Sequence, residues 1–374
     1  MKEYRICTRC VMDTSADDIT FDENGYCNYC TDFINQLELF HSDSESELEK
    51  KREYLIKKVK KDGQNKPYDC IVGVSGGVDS SYVLYLTKQY GLRPLAVHLD
   101  NGWNSELATH NISNLCNKLG VDLYTHVIDW EENRDMQLSF FAANVIDIEL
   151  LMDNAMAALN YNQSKKYNLK YMLSGTNSAT EGMRMPYNWN HYKYDKKNIL
   201  SIHKKFGKVK IETHPLFSTW DFLWNRYIIN HKWISFLDYF VYNKAAALKI
   251  LQKEVDYKPY PYKHYESVFT RFYQGYILPH KFNVDKRRLH LSTLIIAGQM
   301  AREEALKHFN SSPYADPAQE KQDKEFVMKK LGFTEERFEK YIKTPGVSHE
   351  YYGSEKWLMN LLVYINGIRK KIIK

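Results

Sequence analysis

The sequence predicts an α/β protein, in which a doubly wound parallel sheet lies between an N-terminal cysteine-rich module and a mostly helical C-terminal region. Between residues 67 and 180, short apolar segments alternate with segments of helical spacing, as in parallel strands joined by crossover helices. Four cysteines lie within the first 30 residues. Beyond Pro186 the alternation is expected to stop, because helical spacing dominates what remains.

Length and composition fit several soluble domains. The chain has 374 residues, 44% hydrophobic and 26% charged, which excludes collagen-like, low-complexity and disordered classes. We predict a metal-binding module over residues 1–35, a charged helical linker over 36–66, a sheet domain over 67–185 and a helical substrate or partner region over 186–374. The net charge of +6 is too weak to indicate a nucleic-acid partner. With no visible signal peptide or membrane span, a cytoplasmic location is expected.

Each element of the sheet domain has its own signal. Apolar segments predict strands over residues 70–74, 94–99, 121–128 and 171–175. Helical spacing predicts helices over residues 80–90, 104–119 and about 131–166, and most of 221–252. Gly91 and Gly120 follow the first two of these helices, and glycine is the usual residue just after a helix end.

A glycine pair after the first strand is the strongest chemical signal. The segment Ser75-Gly76-Gly77-Val78-Asp79-Ser80 follows a strand and opens a helix. Paired glycines let the backbone approach an anion, and the helix start offers unpaired N–H groups. The serines add hydroxyl donors, and Asp79 is a reasonable partner for Mg²⁺ bridging phosphates. The segment therefore predicts a phosphate site, although it matches neither common glycine-rich nucleotide motif and could be a serine-capped turn.

The cysteines form the second strong signal. Cys7-x2-Cys10 is followed after sixteen residues by Cys27-x2-Cys30, the spacing of a structural four-thiolate zinc ribbon or knuckle. A four-cysteine iron–sulfur cluster is the alternative. Two disulfides are disfavoured in a reducing compartment. The two remaining cysteines, Cys70 and Cys116, sit in apolar patterns and are predicted to be buried small hydrophobes.

A third group of residues lies downstream. It contains Glu266 in His264-Tyr265-Glu266-Ser267, the basic run Lys286-Arg287-Arg288, and Arg302. Three consecutive cations could clamp phosphates, and Glu266 could hold a metal or position an amine nucleophile. A solvated helix face held by ion pairs is the alternative.

The glycine loop resembles the PP-loop of the N-type ATP pyrophosphatases, in the adenine nucleotide alpha-hydrolase-like superfamily. This resemblance implies a PP-loop ATPase, HUP-like sheet that uses ATP and Mg²⁺ and cleaves ATP between the α and β phosphates. Adenine is then expected at the ends of the first two strands, with a later loop, residues 174–178, closing on the nucleotide. The implied nucleotide-binding residues are Val74, Ser75, Gly76, Gly77, Asp79, Ser80, Leu99, Gly175 and Thr176. An ordinary polar loop is the alternative for residues 174–178.

The cysteine segment 7–14 and the blocks 264–267 and 286–306 resemble the N-acetyl sugar amidotransferases of surface-polysaccharide biosynthesis, of the lipopolysaccharide O-antigen type. The resemblance covers nearly the whole chain. It implies a carbon–nitrogen ligase that adenylates the acetamido oxygen of a nucleotide-linked sugar, UDP- or CMP-linked. Ammonia then displaces AMP and leaves an acetamidino group. The implied catalytic residues are Asp79, Glu266, Lys286, Arg287 and Arg302.

The same resemblance implies that ammonia comes from a separate HisH-type glutaminase working with a HisF-like partner. Two other functions stay open. A zinc-containing PP-loop enzyme that modifies tRNA by thiolation would share the loop, but sulfur transfer needs a reactive cysteine, and Cys70 and Cys116 are expected to be buried. A non-enzymatic zinc-ribbon interaction module would account for the cysteines alone.

Overall fold

One parallel sheet organises the molecule. The computed structural model describes residues 3–40, 44–260, 265–314 and 316–372, with the side chains of residues 39–40 and 365–372 left aside. Its strands are β1 (Cys70–Gly73), β2 (Pro94–Asp100), β3 (Leu123–Val127), β4 (Tyr171–Ser174) and β5 (Lys232–Ser235), in the order β3-β2-β1-β4-β5. All four pairings are parallel, so the predicted doubly wound sheet is confirmed. The strand order reverses between β1 and β4, which is where such sheets bind ligands.

Helices lie on both faces of this sheet and continue beyond it. The first ten are α1 (Asn28–Phe40), α2 (Glu45–Asp62), α3 (Val78–Gln89), α4 (Glu106–Leu119), α5 (Trp130–Ala143), α6 (Leu150–Lys166), α7 (Ser178–Glu181), α8 (Lys196–Phe206), α9 (Thr219–Leu223) and α10 (Lys244–Val255). The C-terminal ones are α11 (Val268–Phe272), α12 (Leu278–Phe282), α13 (Arg287–Ile296), α14 (Arg302–Lys307), α15 (Pro317–Leu331), α16 (Glu335–Lys343) and α17 (Lys356–Ile372). In the part of the chain that the structure describes, no helix combines the length and apolar character needed to cross a membrane.

Side-chain alternation along β1 builds a core on each face of the sheet. Cys70 and Val72 join one apolar cluster, and Ile71 joins the other, as expected for a period of two. Cys116 packs into the same cluster as Cys70. Burial raises the pKa of both thiols, that of Cys116 to about 11, so their prediction as buried small hydrophobes is confirmed.

The N-terminal module and the C-terminal helices share a third core. The four N-terminal cysteines belong to the same buried cluster as residues of α5, α11, α15 and α16. The predicted linker is also more than a solvated helix. Although α2 begins with a Ser44–Glu47 capping box, it buries Leu55, Ile56 and Val59 against the sheet. The three parts of the chain are therefore packed together.

Two sequence expectations were wrong. The helical stretch predicted over about 131–166 is two helices, because Asn144 adopts a left-handed conformation (φ +54°) and ends α5. The alternation of strands and helices also does not stop at Pro186, since β5 pairs with β4 at Met172↔Trp233. This strand falls inside the segment 221–252, predicted mostly helical, and beyond the predicted sheet-domain boundary at residue 185. Both differences matter, because each brings charged side chains to the site described next.

Candidate functional site

The glycine pair forms a tight turn at the carboxyl end of β1. Gly76 has φ +85°, and a Cβ there would lie 3.1 Å from the Tyr260 hydroxyl and 3.2 Å from the Cα of Ala108. A side chain at this position would therefore be both strained and crowded. The Gly76 carbonyl accepts hydrogen bonds from the hydroxyls of Tyr257 at 2.7 Å and Tyr260 at 3.2 Å. These two bonds hold the backbone of the turn in place.

The serines of the loop face each other across the start of α3. Their hydroxyl oxygens lie 3.2 Å apart, and the backbone N–H of Ser75 donates to Ser80 Oγ at 3.3 Å. The N–H of Gly77 donates to Ser75 Oγ at 3.3 Å. Gly77 precedes α3 and has no side chain to cap it. N–H groups of the first helical turn are thus placed, with two hydroxyls, where an anion would bind.

The loop after β4 touches this turn. A Cβ on Gly175 would lie 2.8 Å from the backbone N of Ser80 and 2.9 Å from the carbonyl carbon of Asp79. A side chain would therefore push the two loops apart. The Thr176 hydroxyl lies 2.5 Å from that of Ser174 and 3.1 Å from that of Ser235, which ties the loop to β5.

Asp79 is held by the segment that follows β5. Lys244 Nζ lies 2.8 Å from Asp79 Oδ2, and the Tyr242 hydroxyl donates to Oδ1. Burial and the neighbouring Asp79 carboxylate raise the pKa of the Tyr242 hydroxyl, so it stays protonated and donates. Asp79 is thus an oriented carboxylate at the loop, and Lys244 is a cation that the sequence interpretation missed.

Two cavities open from the loop. The larger, about 780 Å³, lies between the glycine turn, the loop after β4 and α10. The smaller, about 260 Å³, lies at the ends of β1 and β2. Of the predicted nucleotide-binding residues, the larger cavity is lined by Ser75, Gly77, Asp79, Ser80, Gly175 and Thr176, and the smaller one by Val74, Ser75 and Leu99. Gly76 forms the turn beneath them. The structure therefore brings this predicted set together.

Glu266 lies where the two cavities meet. Its side chain lines both, and its Oε1 would be 3.9 Å from a Cβ built on Gly77. The Glu266 carbonyl accepts a hydrogen bond from the N–H of Ser105 at 2.9 Å, which fixes the backbone there. His264 of the same sequence block lies outside the described residues. Glu266 is thus the predicted downstream residue that sits at the loop.

The basic run at residues 286–288 does not form one clamp. Lys286 pairs with Glu149 at 3.1 Å, and Arg287 with Asp285 at 2.7 Å. Arg288 turns to the N-terminal module, where its guanidinium lies 2.8 Å from Asp13. The cause is helical geometry, since successive residues point about 100° apart. The expectation of three cations on one phosphate group was wrong.

Arg302 also points away from the glycine loop. Its guanidinium donates to the carbonyls of Cys10 at 3.0 Å and Cys7 at 2.9 Å. It is not among the described residues that line the cavities. The start of α14 packs against the cysteine module, so these contacts assign Arg302 to that module and do not support a catalytic role.

A third cavity, about 650 Å³, lies among the C-terminal helices. Lys286 and Arg287 line it with His290, Leu294, Glu181 and Tyr314, among others. It shares Lys286 with the 260 Å³ cavity, and Glu181, His290 and Leu294 with the 780 Å³ cavity. A bound molecule here would lie beside anything that occupies the glycine loop.

A charged group beside the start of α6 was missed from the sequence. Lys193 Nζ lies 2.7 Å from Asp147 and 2.8 Å from Asp153, and both Lys193 and Asp153 line the 260 Å³ cavity. Although burial opposes ionisation of Asp147, the adjacent Lys193 lowers its pKa to about 2. In the sequence, the acidic residues that interrupt the apolar stretch near residue 150 could have indicated this charged group.

The four N-terminal cysteines come together as predicted. Their sulfur atoms are buried and lie within 4.8 Å of one another, with Cys7–Cys30 at 3.8 Å and both Cys10–Cys27 and Cys27–Cys30 at 3.6 Å. The N–H of Cys27 donates to Cys7 Sγ at 3.2 Å, and Arg9 donates to Cys30 Sγ at the same distance. Such bonds stabilise thiolates. This donor set fits a metal ion, because its thiolates converge on one point.

Two family models match separate parts of the chain. Residues 47–197 match the NAD synthase family, and residues 266–364 match the C-terminal domain of the LPS biosynthesis protein WbpG-like family. The first range contains the glycine loop, and the second contains Glu266, Lys286 and Arg302. The chain therefore joins a PP-loop domain to a C-terminal domain of an LPS biosynthesis family.

Individual proteins resemble parts of the chain. A tRNA(Ile)-lysidine synthase from Chlamydia pneumoniae is 36% identical over 70 residues, 18% of this chain, which spans about a fifth of that relative's length (22%). The NH3-dependent NAD synthetase from Campylobacter jejuni is 17% identical, covering 56% of this chain and 84% of its own (TM-score 0.30). The U34-tRNA thiolase NcsA from Methanococcus maripaludis, with its 4Fe-4S cluster, is 14% identical, covering 88% of each chain (TM-score 0.29).

Proposed function

We propose that this protein, a PP-loop ATP-using enzyme with an LPS-biosynthesis C-terminal domain, converts an acetamido group of a nucleotide-linked sugar to an acetamidino group. One observation carries the proposal. The cavities at the PP-loop adjoin a 650 Å³ cavity lined by the C-terminal domain, so two substrates could meet between them. PP-loop chemistry supplies activation by ATP, and the C-terminal domain supplies the link to surface polysaccharide.

ATP would span the two cavities at the loop. Its phosphates would take the N–H groups of the first turn of α3 and the hydroxyls of Ser75 and Ser80. Its adenine would lie toward Val74 and Leu99. Asp79 would hold Mg²⁺, with Lys244 moving from the carboxylate to a phosphate when nucleotide binds. Glu266 lies at the junction of the cavities, beside the position expected for the α-phosphate.

The acetamido sugar would occupy the cavity of the C-terminal domain. Its acetamido oxygen would attack the α-phosphorus of ATP, forming a C–O–P linkage as pyrophosphate leaves. Ammonia would then form a bond to the activated carbon, AMP would leave with the oxygen, and the amidine would keep the new nitrogen. Lys286 lines both the 260 Å³ and 650 Å³ cavities, which places a cation between the two substrates.

We infer that the cysteine cluster holds a structural zinc ion. Four thiolates at about 2.3 Å from one zinc ion lie about 3.8 Å apart, close to the 3.6–3.8 Å found between sulfurs here. A four-iron cluster would have to fit between the same thiolates, which requires larger separations. Because all four cysteines are ligands, the ion would have no open position and would serve the fold.

Ammonia is proposed to come from a separate HisH-type glutaminase that works with a HisF-like subunit. This part of the proposal rests on the resemblance of the sequence to the sugar amidotransferases. It predicts that free ammonium supports turnover by the chain alone, whereas glutamine supports turnover after both partner proteins are added.

The second candidate function is modification of tRNA. The match to a tRNA(Ile)-lysidine synthase favours it, although that match covers 70 residues. Thiolation would need a reactive thiol near the nucleotide, whereas Cys70 and Cys116 are buried with raised pKa values.

A coupled assay separates the two candidates. The purified protein is incubated with ATP, Mg²⁺, ammonium and a panel of UDP- and CMP-linked acetamido sugars, and products are identified by mass spectrometry. We expect AMP and a sugar in which one oxygen is replaced by NH. ADP as product, or AMP formation that depends on tRNA and on no sugar, would overturn the proposal. Asp79→Asn is the matched inactive control.

A further inference from the structure

A very small chamber lies beside the 260 Å³ cavity, between the start of α6 and α11. Its volume is about 10 Å³, enough for one molecule the size of water. It shares Glu149, Met152, Ser267 and Thr270 with the larger cavity. The chamber therefore adjoins the 260 Å³ cavity, whose walls also include Glu266 and Lys286, between the positions proposed for the two substrates.

Glu149 is the notable group on the wall of this chamber. It is 6% exposed, and its Oε2 accepts hydrogen bonds from Lys286 at 3.1 Å and Gln274 at 2.9 Å. Its other oxygen, Oε1, is buried and has no hydrogen-bond partner within the described ranges. A buried carboxylate oxygen left unpaired costs free energy, and most such atoms in proteins find a partner. The geometry therefore points to a ligand that donates to Oε1.

The remaining described walls of the chamber carry no charge. Amides are supplied by Asn101, Asn133 and Gln137, hydroxyls by Ser267 and Thr270, and apolar surface by Ile148, Leu151, Met152 and Phe269. The fitting ligand is thus one heavy atom that donates to a carboxylate and accepts from an amide N–H. Water and ammonia meet this description, and ammonia is the one that the proposed reaction consumes.

We propose that this chamber binds ammonia, with Glu149 Oε1 as its acceptor, before ammonia attacks the activated acetamido carbon. The inference rests on the proposed function and assigns the nitrogen substrate to its own site. Lys286 and Gln274 both donate to Oε2, which leaves Oε1 as the acceptor for the ligand. The break between α5 and α6 places Glu149 at this chamber, as the residue just before α6.

The first test removes the charge with Glu149→Gln. We expect the KM for ammonium to rise about tenfold or more, which corresponds to about 1.4 kcal/mol of lost binding. ATP–pyrophosphate exchange in the presence of the sugar should change less than twofold, because adenylation precedes use of ammonia. Glu132→Gln is the matched control, since Glu132 is a buried carboxylate on α5 that bonds the backbone at residues 213–214. An unchanged KM for ammonium would overturn the inference.

The second test varies the size of the nucleophile. Methylamine should fail as a nucleophile with the wild-type protein, because the chamber accepts one heavy atom. Leu151→Ala enlarges the chamber and should allow an N-methylated product. Leu150→Ala is the control, because Leu150 is equally buried in the same core but does not line the chamber. Methylamine use by the wild-type protein, or equal use by both variants, would contradict the assignment.

A third measurement is independent of the sugar. The melting temperature is compared in ammonium chloride and sodium chloride at equal ionic strength, for the wild-type protein and Glu149→Gln. We expect ammonium to stabilise the wild type and not the variant. If no sugar reacts but this difference is found, the proposed function fails and the ammonia site stands. If both proteins respond equally to the two salts, the chamber holds water and the inference is overturned.

Discussion

The cysteine cluster and the PP-loop are both short sequence signatures, yet their surroundings in the structure are opposite. The cysteine sulfurs are fully buried, and the backbone around them is held by Arg302 and by Ser292, which accepts from the N–H of Val11 at 3.1 Å. The loop hydroxyls and N–H groups instead line a cavity of about 780 Å³. One site is closed by other parts of the protein, and the other opens onto a cavity.

This difference indicates which property each site controls. The cluster joins residues 7–30 to α13 and α14, so its loss should destabilise the fold and affect activity as a consequence. The backbone of the loop is held by the hydroxyls of Tyr257 and Tyr260. Changes to the loop side chains that line the cavity should therefore affect activity with little change in stability. The predictions that follow test this separation, beginning with the largest effect.

Removing one cluster ligand should have the largest effect. Cys10→Ser, or extraction of the metal with a chelator, is expected to abolish cooperative unfolding or lower the melting temperature sharply, because structural zinc contributes about 10–16 kcal/mol in small zinc-binding peptides. Metal content and thermal unfolding followed by circular dichroism measure this. Cys116→Ala is the matched control, since that thiol is buried outside the cluster. A Cys10→Ser protein with full metal content and an unchanged melting temperature would contradict a structural cluster.

Changing the carboxylate of the loop, Asp79, should lower activity strongly and leave stability nearly unchanged. Asp79→Asn is expected to lower kcat/KM by about 100- to 1,000-fold, as when a group that stabilises transition-state charge is removed. The melting temperature should stay within about 2 °C, since the carboxylate lines the cavity and its partners can bond water. Asp62→Asn is the control, because Asp62 is ion-paired with Lys170 at 3.3 Å and accepts from Tyr171, at the start of β4, whereas the loop lies beyond the other end of that strand. Equal activity of the two variants would remove Asp79 from the mechanism.

The same comparison explains what the sequence could predict. The PP-loop and the cysteine pairs are local patterns, and each fixes its own geometry through adjacent residues. Lys244, Lys193 and Glu149 depend instead on tertiary structure. Lys244 reaches the loop because a four-residue strand pairs with β4, and a strand of this length is too short to reveal a period. Glu149 reaches its chamber because Asn144 ends a helix that apolar spacing predicted to continue.

Arg302 provides a test between the two regions, because the sequence predicted it to be catalytic and the structure places it at the cluster. Arg302→Ala should reduce the free energy of unfolding by about 1–3 kcal/mol, since two charge-assisted hydrogen bonds to carbonyls are lost. Its kcat should stay within about twofold of wild type. Arg302→Lys should be intermediate, because an ammonium group cannot reproduce the guanidinium fork. A large fall in kcat with unchanged stability would restore the catalytic role.

The smallest expected effect is a dependence of stability on pH that belongs to the scaffold. Burial lowers the pKa of His349 to about 3 from an ordinary value of 6.5. The N–H of Asp147 donates to its Nε2 at 3.1 Å, so the folded ring is neutral. Below pH 6.5 the unfolded chain binds a proton that the folded chain does not. The free energy of unfolding therefore decreases as the pH is lowered.

His349 should contribute about 1.4 kcal/mol per pH unit to this fall between pH 6.5 and about 4.5, above the range in which most carboxylates titrate. His214, whose pKa burial lowers to about 4, adds a similar slope. His349→Phe should therefore reduce the slope, measured by urea unfolding at several pH values, without abolishing it. His203→Phe is a useful comparison, since His203 is a partly exposed histidine beside Asp135. If His349→Phe leaves the slope unchanged, the buried neutral ring of His349 is not a source of the pH sensitivity.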